Sequence, residues 1–159
     1  MPQITIAVRT PRDPADVYER IRDFARYPQQ TDAVVEVLVH PVEADGGLVS
    51  EWTVRFRNGL LRWTERDVFD DERRSIVFEQ LSGDFATFRG RWLIDADGDG
   101  ATIVFDAEFD LGIPTLAALI DPVAEATLRS NILLILRGLL GDVTEHDLTP
   151  DPPVGAGVA

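Results

Sequence analysis

The sequence predicts an α+β fold in which a seven-stranded antiparallel sheet curves around one long C-terminal helix. From position 34 to position 111, apolar and polar residues alternate with the period of a β-strand. Short connections rich in Gly and Asp, such as "EADGG" and "SGD", join these segments, as antiparallel hairpins require. After residue 111 the period becomes that of a helix. Because a single long helix must cover one face of a wide sheet, we expect a cavity between them.

The first strand is expected at residues 4–8, and two short helices should follow it. Asp13 is a suitable N-cap residue, and Pro14 suits the first position of a helix. Pro28 ends or bends the helical segment shortly after Tyr27. The apolar residues that recur at helical spacing in this segment are Val17, Ile21 and Phe24.

Six further strands are expected after the short helices. They span residues 34–42, 48–56, 60–69, 75–81, 85–94 and 101–111. Helical spacing then predicts a short helix at residues 115–121 and a new start at Asp121 and Pro122, followed by a long helix over residues 122–143. The Pro/Gly-rich residues 148–159 predict a disordered tail, so we expect a single domain at residues 1–147.

The composition argues against several classes of function. There is no cysteine and no lysine, which removes disulfides, zinc–thiolate sites, cysteine nucleophiles and Schiff-base chemistry. The net charge of −13 is unsuited to nucleic acid. The two histidines, His40 and His146, are too few for a multi-histidine metal site and too far apart in sequence to suggest a catalytic triad. With no secretory signal and no apolar run of about 20 residues, we expect a cytoplasmic protein without a membrane span.

Three segments carry a resemblance to a known superfamily. They are "DPADVYERIRDFARYPQ", "WTERDVFDDERRSIVFE" and "FRGRWLIDADGDGATIVFDAEFDL". In this order and spacing the chain resembles the START-like, birch-pollen-allergen-like superfamily, and within it the polyketide cyclase/dehydrase and coenzyme-Q-binding group. The resemblance covers about residues 4–143. It implies a helix-grip fold with a hydrophobic tunnel between the curved sheet and the C-terminal helix.

The register of the hairpin around "RNG" decides which side chains face this tunnel, since a slip of one residue moves each side chain to the opposite face. If Asn58 and Gly59 form a two-residue turn, Phe56 pairs with Leu61. The apolar face then consists of Trp52, Val54, Phe56, Leu61 and Trp63, and the outer face carries Arg62 and Arg66. Composition alone favours this register.

A three-residue loop with Gly59 in the left-handed conformation gives the other register, in which Phe56 pairs with Leu60. Arg62, Thr64 and Arg66 then face the tunnel with Trp52 and Val54. The resemblance favours this second register. The segment "TERDVFD" is similar to that of aromatic polyketide aromatase/cyclases in which a Ser/Thr-x-Arg pair faces the pocket, and Thr64 and Arg66 match this pair.

The leading hypothesis is therefore a polyketide cyclase or aromatase that folds a poly-β-keto chain and assists aldol cyclisation and dehydration, with no cofactor. Arg66 would polarise a carbonyl and stabilise the enolate, while Thr64, Tyr27 or a held water relays protons. Alternatively, Arg66 forms a structural ion pair with Glu79, Glu108 or Glu125. The expected substrate-binding residues are Trp52, Val54, Phe56, Arg62, Phe88, Trp92 and Leu128.

Two other functions use the same fold. One is a non-catalytic carrier of an apolar molecule such as a quinone, lipid or polyketide, and the other is a protein-interaction module that uses the sheet surface. A cyclase would also require docking of an acyl carrier protein, itself typically acidic, on a local basic patch. The candidate residues are Arg55, Arg57, Arg89 and Arg91. The sequence is also compatible with a homodimer.

Overall fold

The structure, a computed structural model, describes residues 3–56, 59–111 and 117–145, with side chains in the last range from residue 123 onwards. These ranges form one antiparallel sheet of eight strands in the order β2-β3-β4-β5-β6-β7-β1-β8. The strands are β1 Gln3–Thr10, β2 Val34–Val39, β3 Leu48–Phe56, β4 Gly59–Asp70, β5 Ser75–Gly83, β6 Thr87–Asp97, β7 Gly100–Asp110 and β8 Thr144–Glu145. The sheet and the long C-terminal helix confirm the α+β, helix-grip prediction.

The eighth strand was not predicted. Thr144 and Glu145 pair antiparallel with Arg9 and Val8 of β1, at the edge of the sheet. Two residues are too few to show an alternation of apolar and polar side chains, so the period that identified the other seven strands is absent here. The predicted tail at residues 148–159 and His146 lie outside the described residues.

Two short helices follow β1, as predicted: α1 Pro14–Arg22 and α2 Tyr27–Gln30, separated by a 3₁₀ turn at Phe24–Arg26. Asp13 caps α1, because its carboxylate accepts a hydrogen bond of 3.1 Å from the backbone N–H of Ala15.

The long helix, α3, runs without interruption over Ala117–Leu140. The predicted new start at Asp121 and Pro122 is therefore wrong, and so is the predicted end at residue 143. A proline in the second turn removes one backbone hydrogen bond, and packing of the following turns against the sheet outweighs that loss. In the part of the chain that is described, no helix is both long and apolar enough to cross a membrane.

The core lies between the concave face of the sheet, α1, the 3₁₀ turn and α3. Alternate residues of β3 and β7 are buried, which gives each strand one apolar inner face and one wetter outer face. Near its C-terminal end, α3 approaches α2 closely at Gly138, where a Cβ atom would lie 2.2 Å from the carbonyl oxygen of Gln30. Only a residue without a side chain permits this contact.

Candidate ligand-binding site

The register of β3 and β4 differs from both predicted pairings. Phe56 pairs with Gly59, so the connection consists of residues 57 and 58, which lie outside the described residues. Val54 pairs with Leu61, and Trp52 pairs with Trp63. This pairing is shifted by two residues from the first predicted register, and a shift of two keeps every side chain on its face. The inner face is therefore the one that the first register gave, and the second register, which the resemblance favoured, is wrong.

Arg66 consequently lies on the outer face of β4, and its predicted position in the tunnel is wrong. Its guanidinium donates a hydrogen bond to Asp45 and lies 3.4 Å from Glu43 Oε1, with 32% of the side chain exposed. Arg66 also pairs in register with Glu79, one of its three predicted partners, but its ion pairs are with Glu43 and Asp45. A permanently charged guanidinium is stabilised better in this wet position than in an apolar interior.

Arg62 and Thr64 share the outer face with Arg66, so their predicted orientation is also corrected. Arg62 is exposed and pairs with Thr53, while Thr64 is half-buried and pairs with Glu51. The alternation of β4 places all three residues opposite to the side that Leu61 and Trp63 occupy. None of the three borders the interior cavity described next.

A cavity of about 70 Å³ lies between the inner face of the sheet, the short helices and α3. Six predicted site residues border it: Tyr27, Trp52, Val54, Phe88, Trp92 and Leu128. The other residues that border it are Phe24, Trp63, Glu65, Phe78, Phe105, Asn131, Ile132 and Ile135. Phe56 is half-buried and packs against the core without bordering the cavity. The role of these residues toward a ligand stays a prediction.

Aromatic rings fill most of the space that a simple sheet and helix would leave open. Trp52 and Trp63 are stacked, with ring centroids 6.0 Å apart and planes inclined by 4°. Phe88 meets Trp63 edge-on at 5.3 Å, and Trp92 lies 4.7 Å from Phe105. An apolar cavity of about 150 Å³ holds one benzene molecule. The present cavity therefore suits a small guest, and a larger one must displace part of this aromatic wall.

Two carboxyl groups are buried on the inner face of β4, next to the aromatic wall. Glu65 is 5% exposed and accepts a hydrogen bond of 2.7 Å from the indole N–H of Trp63. Asp67 is fully buried, and its Oδ2 accepts a hydrogen bond of 2.6 Å from the hydroxyl of Ser50. The Ser50 oxygen in turn accepts a hydrogen bond of 2.8 Å from the indole N–H of Trp52. Both indole groups are thus directed at one polar cluster.

The environment shifts the pKa values of both carboxyl groups, and of the two it favours Glu65 as the group that holds a proton. Burial raises the pKa of Glu65 well above its usual value, and the hydrogen bond to Asp67 and the charge of Asp67 raise it further. Burial also raises the pKa of Asp67, whereas hydrogen bonds from Glu65 and Ser50 lower it. Because the hydrogen bond between the carboxyl groups favours the protonated Glu65 and the ionised Asp67, Glu65 is the donor. The side chain that borders the cavity is therefore the one whose protonated form is favoured.

Tyr27 borders the cavity with its ring, while its hydroxyl is engaged elsewhere. The phenol donates a hydrogen bond of 2.5 Å to the backbone carbonyl of Ile21. Burial raises the pKa of Tyr27 well above its usual value, and the charges of Glu65, Asp67 and Asp23 add to this effect. The phenol proton is thus held by the backbone, which does not favour the predicted role of Tyr27 as a proton relay.

Asn131 of α3 is a further polar residue at the cavity that was not predicted. Its side-chain amide donates a hydrogen bond of 2.6 Å to the carbonyl of Arg55, which joins α3 to β3. Asn131 and the neighbouring Ile132 are both half-buried, so this side of the cavity reaches the protein surface. Within the described ranges, no cluster of three His, Cys, Asp or Glu residues is arranged to hold a metal ion.

The side chains of two of the arginines considered for carrier-protein docking, Arg55 and Arg89, have partners among the described residues. Arg89 is exposed and forms an ion pair of 3.1 Å with Glu108 of the neighbouring strand. Arg55 donates a hydrogen bond of 2.9 Å to the carbonyl of Asp32, and Arg91 pairs in register with Asp106. Arg57 lies outside the described residues. Docking of an acyl carrier protein, like a homodimer, stays a prediction.

Comparison with known proteins gives one family match and several similar folds. Residues 10–133 match the family described as polyketide cyclase/dehydrase and lipid transport. The protein TTHA0849 from Thermus thermophilus is 25% identical with a TM-score of 0.80, and the match covers 87% of this chain and 94% of that protein. No protein of curated function matches the sequence.

Two further solved structures share the fold at lower identity. The ZhuI aromatase/cyclase from Streptomyces sp. R1128 is 21% identical with a TM-score of 0.74, and the match covers 88% of this chain and 92% of that one. A START superfamily protein from Mycobacterium smegmatis is 16% identical with a TM-score of 0.75, and the match covers 87% of this chain and 96% of that one.

Proposed function

Because the chain belongs to the polyketide cyclase/dehydrase and lipid transport family, we propose that it binds a small hydrophobic molecule in the cavity between the sheet and α3. The cavity itself carries this proposal. Among the described residues, its wall consists almost entirely of aromatic and aliphatic side chains, with Glu65 and Asn131 as its strongly polar members. Burial of an apolar guest against such a wall supplies the binding energy, and the few polar groups orient it.

The size of the cavity limits the unstrained guest to a few heavy atoms. A larger guest enters by rotation of wall residues, for which the half-buried Ile132 and Asn131 at the surface side are the least constrained. The stacked pair Trp52 and Trp63 is fixed by hydrogen bonds from both indole groups. We therefore expect the guest to pass between α3 and the aromatic wall.

Filling the cavity from α3 tests the proposal. Ile132→Trp places a large ring in the cavity and should weaken binding of the neutral fluorescent probe N-phenyl-1-naphthylamine by about tenfold or more, measured by fluorescence titration. Leu134→Trp adds the same ring to the same helix at a position that is 50% exposed, and it should bind the probe as wild type does. Equal binding by both variants, or no binding by wild type, would contradict the proposed function.

A second candidate function is catalysis on the bound molecule. The carboxyl of Glu65 at the cavity favours it, because burial raises its pKa well above the usual value, and such an acid can protonate a carbonyl or a leaving hydroxyl. In this hypothesis the protein closes or dehydrates a poly-β-keto chain, and Glu65 takes the place that the sequence assigned to Arg66.

A poly-β-keto surrogate separates the two functions. An enzyme should form cyclised product with wild type and lose most of that turnover in Glu65→Gln, while both proteins still bind the surrogate. A carrier should bind the surrogate and form product with neither protein. Product analysis by liquid chromatography and mass spectrometry distinguishes these outcomes.

A further inference from the structure

We propose that Trp92 recognises the guest of the cavity through its indole N–H, and that this guest is a neutral molecule whose carbonyl oxygen accepts the hydrogen bond. This inference rests on the proposed function, since it names the chemical class of the molecule that the cavity binds and one residue that selects it. It depends on how the hydrogen-bond donors around the cavity are used and on the acids in its wall.

Three aromatic donors at the cavity are used by the protein itself. The indole N–H of Trp52 donates to the hydroxyl oxygen of Ser50 over 2.8 Å. The indole N–H of Trp63 donates to Oε1 of Glu65 over 2.7 Å. The phenol of Tyr27 donates to a backbone carbonyl of α1. A guest that used one of these donors would have to break an existing hydrogen bond, which cancels most of the gain.

Trp92 differs from these residues, because its indole N–H has no hydrogen-bond partner among the described residues. Its side chain is 6% exposed, so bulk water solvates the N–H poorly. A buried tryptophan usually satisfies its N–H, and a donor left without a partner in the interior is costly. The residue pairs in register with Ile76 and Phe105, and its ring centroid lies 4.7 Å from that of Phe105. The hydrogen bond of this N–H is therefore left for an acceptor outside the polypeptide.

The N–H of Trp92 can be reached from the cavity. Among the described side chains that are not exposed, the one fully buried polar atom without a partner is Asp67 Oδ1, so the indole nitrogen of Trp92 is not sealed off by protein atoms. Trp92 borders the cavity together with other apolar rings such as Phe78 and Phe88. An oxygen atom placed in the cavity beside the indole can therefore accept the open hydrogen bond.

The acceptor that suits this position is the oxygen of a neutral carbonyl group. Glu65 borders the cavity and Asp67 is buried next to it, so a carboxylate guest would bring a further negative charge into an interior of low dielectric constant. A hydrocarbon guest would fill the space and leave the N–H unpaired, and an alcohol would bring an O–H that itself needs an acceptor. A ketone or ester supplies the acceptor alone, while its apolar part contacts the aromatic wall.

Cyclopentanone and methylenecyclopentane test this hydrogen bond, because they have nearly the same shape and differ only in the carbonyl oxygen, which is a CH₂ group in the hydrocarbon. The ketone loses more hydration when it enters the cavity, so the ratio of the two dissociation constants is compared between proteins. ¹H–¹⁵N NMR titrations of the tryptophan indole signals give both constants, since Trp52, Trp63 and Trp92 all border the cavity.

Trp92→Phe removes the N–H and keeps an aromatic ring at the position. It should raise the ratio of the ketone Kd to the hydrocarbon Kd about five- to tenfold above the wild-type ratio. Trp52→Phe is the matched control, since the same change at the same cavity removes an N–H that Ser50 already accepts, and its ratio should stay within about twofold of wild type. An unchanged ratio in Trp92→Phe, or equal rises in both variants, would overturn the inference while leaving the proposed function intact.

The indole signals of wild type give a test that does not depend on how the variants fold. After assignment through its ring protons, the indole proton of Trp92 should move further downfield with the ketone than with the hydrocarbon, because a hydrogen bond deshields the proton. Trp52 and Trp63 keep their partners, so their indole protons should respond alike to both probes. Equal shifts of the Trp92 proton with the two probes would contradict the inference.

Binding of N-phenyl-1-naphthylamine separates the two possible failures. If this probe binds and cyclopentanone does not, the inference is wrong and the proposed function stands. If none of the three probes binds, the proposed function itself is wrong.

Discussion

The two faces of β4 place their charged groups in opposite environments, one in contact with water and one buried. On the outer face, Arg66 lies in partial contact with water between Glu43 and Asp45. The pKa of Asp45 is lowered mainly by a hydrogen bond from the Gly47 backbone, and the charge of Arg66 lowers it further. On the inner face, Glu65 and Asp67 are buried with no cation among the described residues, and burial raises the pKa of both. Water screens the outer charges, so their ion pairs contribute little to stability. In the low-dielectric interior the two carboxyl groups are costly to ionise, and Glu65 brings this property to the cavity.

Neighbouring leucines of β4 give the largest expected difference between the faces. Leu61 is 8% exposed on the inner face, whereas Leu60 is 37% exposed on the outer face. Leu61→Ala should lower the free energy of unfolding by about 2–5 kcal/mol, because it leaves a void in the core. Leu60→Ala should lower it by less than about 1 kcal/mol. Urea denaturation measures both values, and similar losses would contradict the assignment of the faces.

The pH dependence of stability should reveal the inner carboxyl groups. The pKa of Glu65 in the folded protein lies well above 4.5, so the folded state keeps a proton that the unfolded chain releases. The stabilisation from this proton is complete below about pH 4.5 and diminishes as the pH rises toward the folded pKa. Wild type should therefore lose stability relative to Glu65→Gln as the pH increases.

Glu79→Gln on the outer face is the control for this experiment, since Glu79 is exposed on β5. Its stability should follow the wild-type pH profile in denaturation curves measured at constant ionic strength. A constant difference between wild type and Glu65→Gln across the pH range would show that Glu65 titrates as in the unfolded chain.

The smallest effect is expected at Arg66. Arg66→Ala removes partly exposed ion pairs with Glu43 and Asp45, so it should change the free energy of unfolding by about 0.2–1 kcal/mol, with the difference decreasing at high salt. Binding of N-phenyl-1-naphthylamine and any turnover of a poly-β-keto surrogate should match wild type. Loss of either activity in this variant would place Arg66 at the cavity and contradict the observed register.

Much of the fold follows from local patterns in the sequence. The alternation of apolar and polar residues predicted a strand at residues 48–56, and β3 has these bounds, Leu48–Phe56. Asp13 followed by Pro14 gave the start of α1, since both residues have conformational preferences that act locally. The start of α3 could not be obtained in this way, because tertiary packing decides whether a helix continues through Pro122.

The candidate site was less predictable, because it depends on one register and on burial. The segment "RNG" allows several turns. Two turns that shift the strand register by one residue place Arg66 and Glu65 on opposite faces of the sheet. The local signal for the carboxyl pair was present, since Glu65 and Asp67 follow Trp63 at spacings of two along a strand. In a chain with 28 acidic residues, however, only the tertiary structure shows which two lose contact with water.

The close contact at Gly138 determines where the interior can expand. The backbones of α3 and α2 lie so close there that the C-terminal end of α3 cannot move nearer to α2. The wall residues Leu128 and Ile132 lie one and a half to three turns earlier in the helix. Room for a larger guest therefore lies on the side of these earlier turns, where the wall residues can rotate, and not at the end that packs on α2.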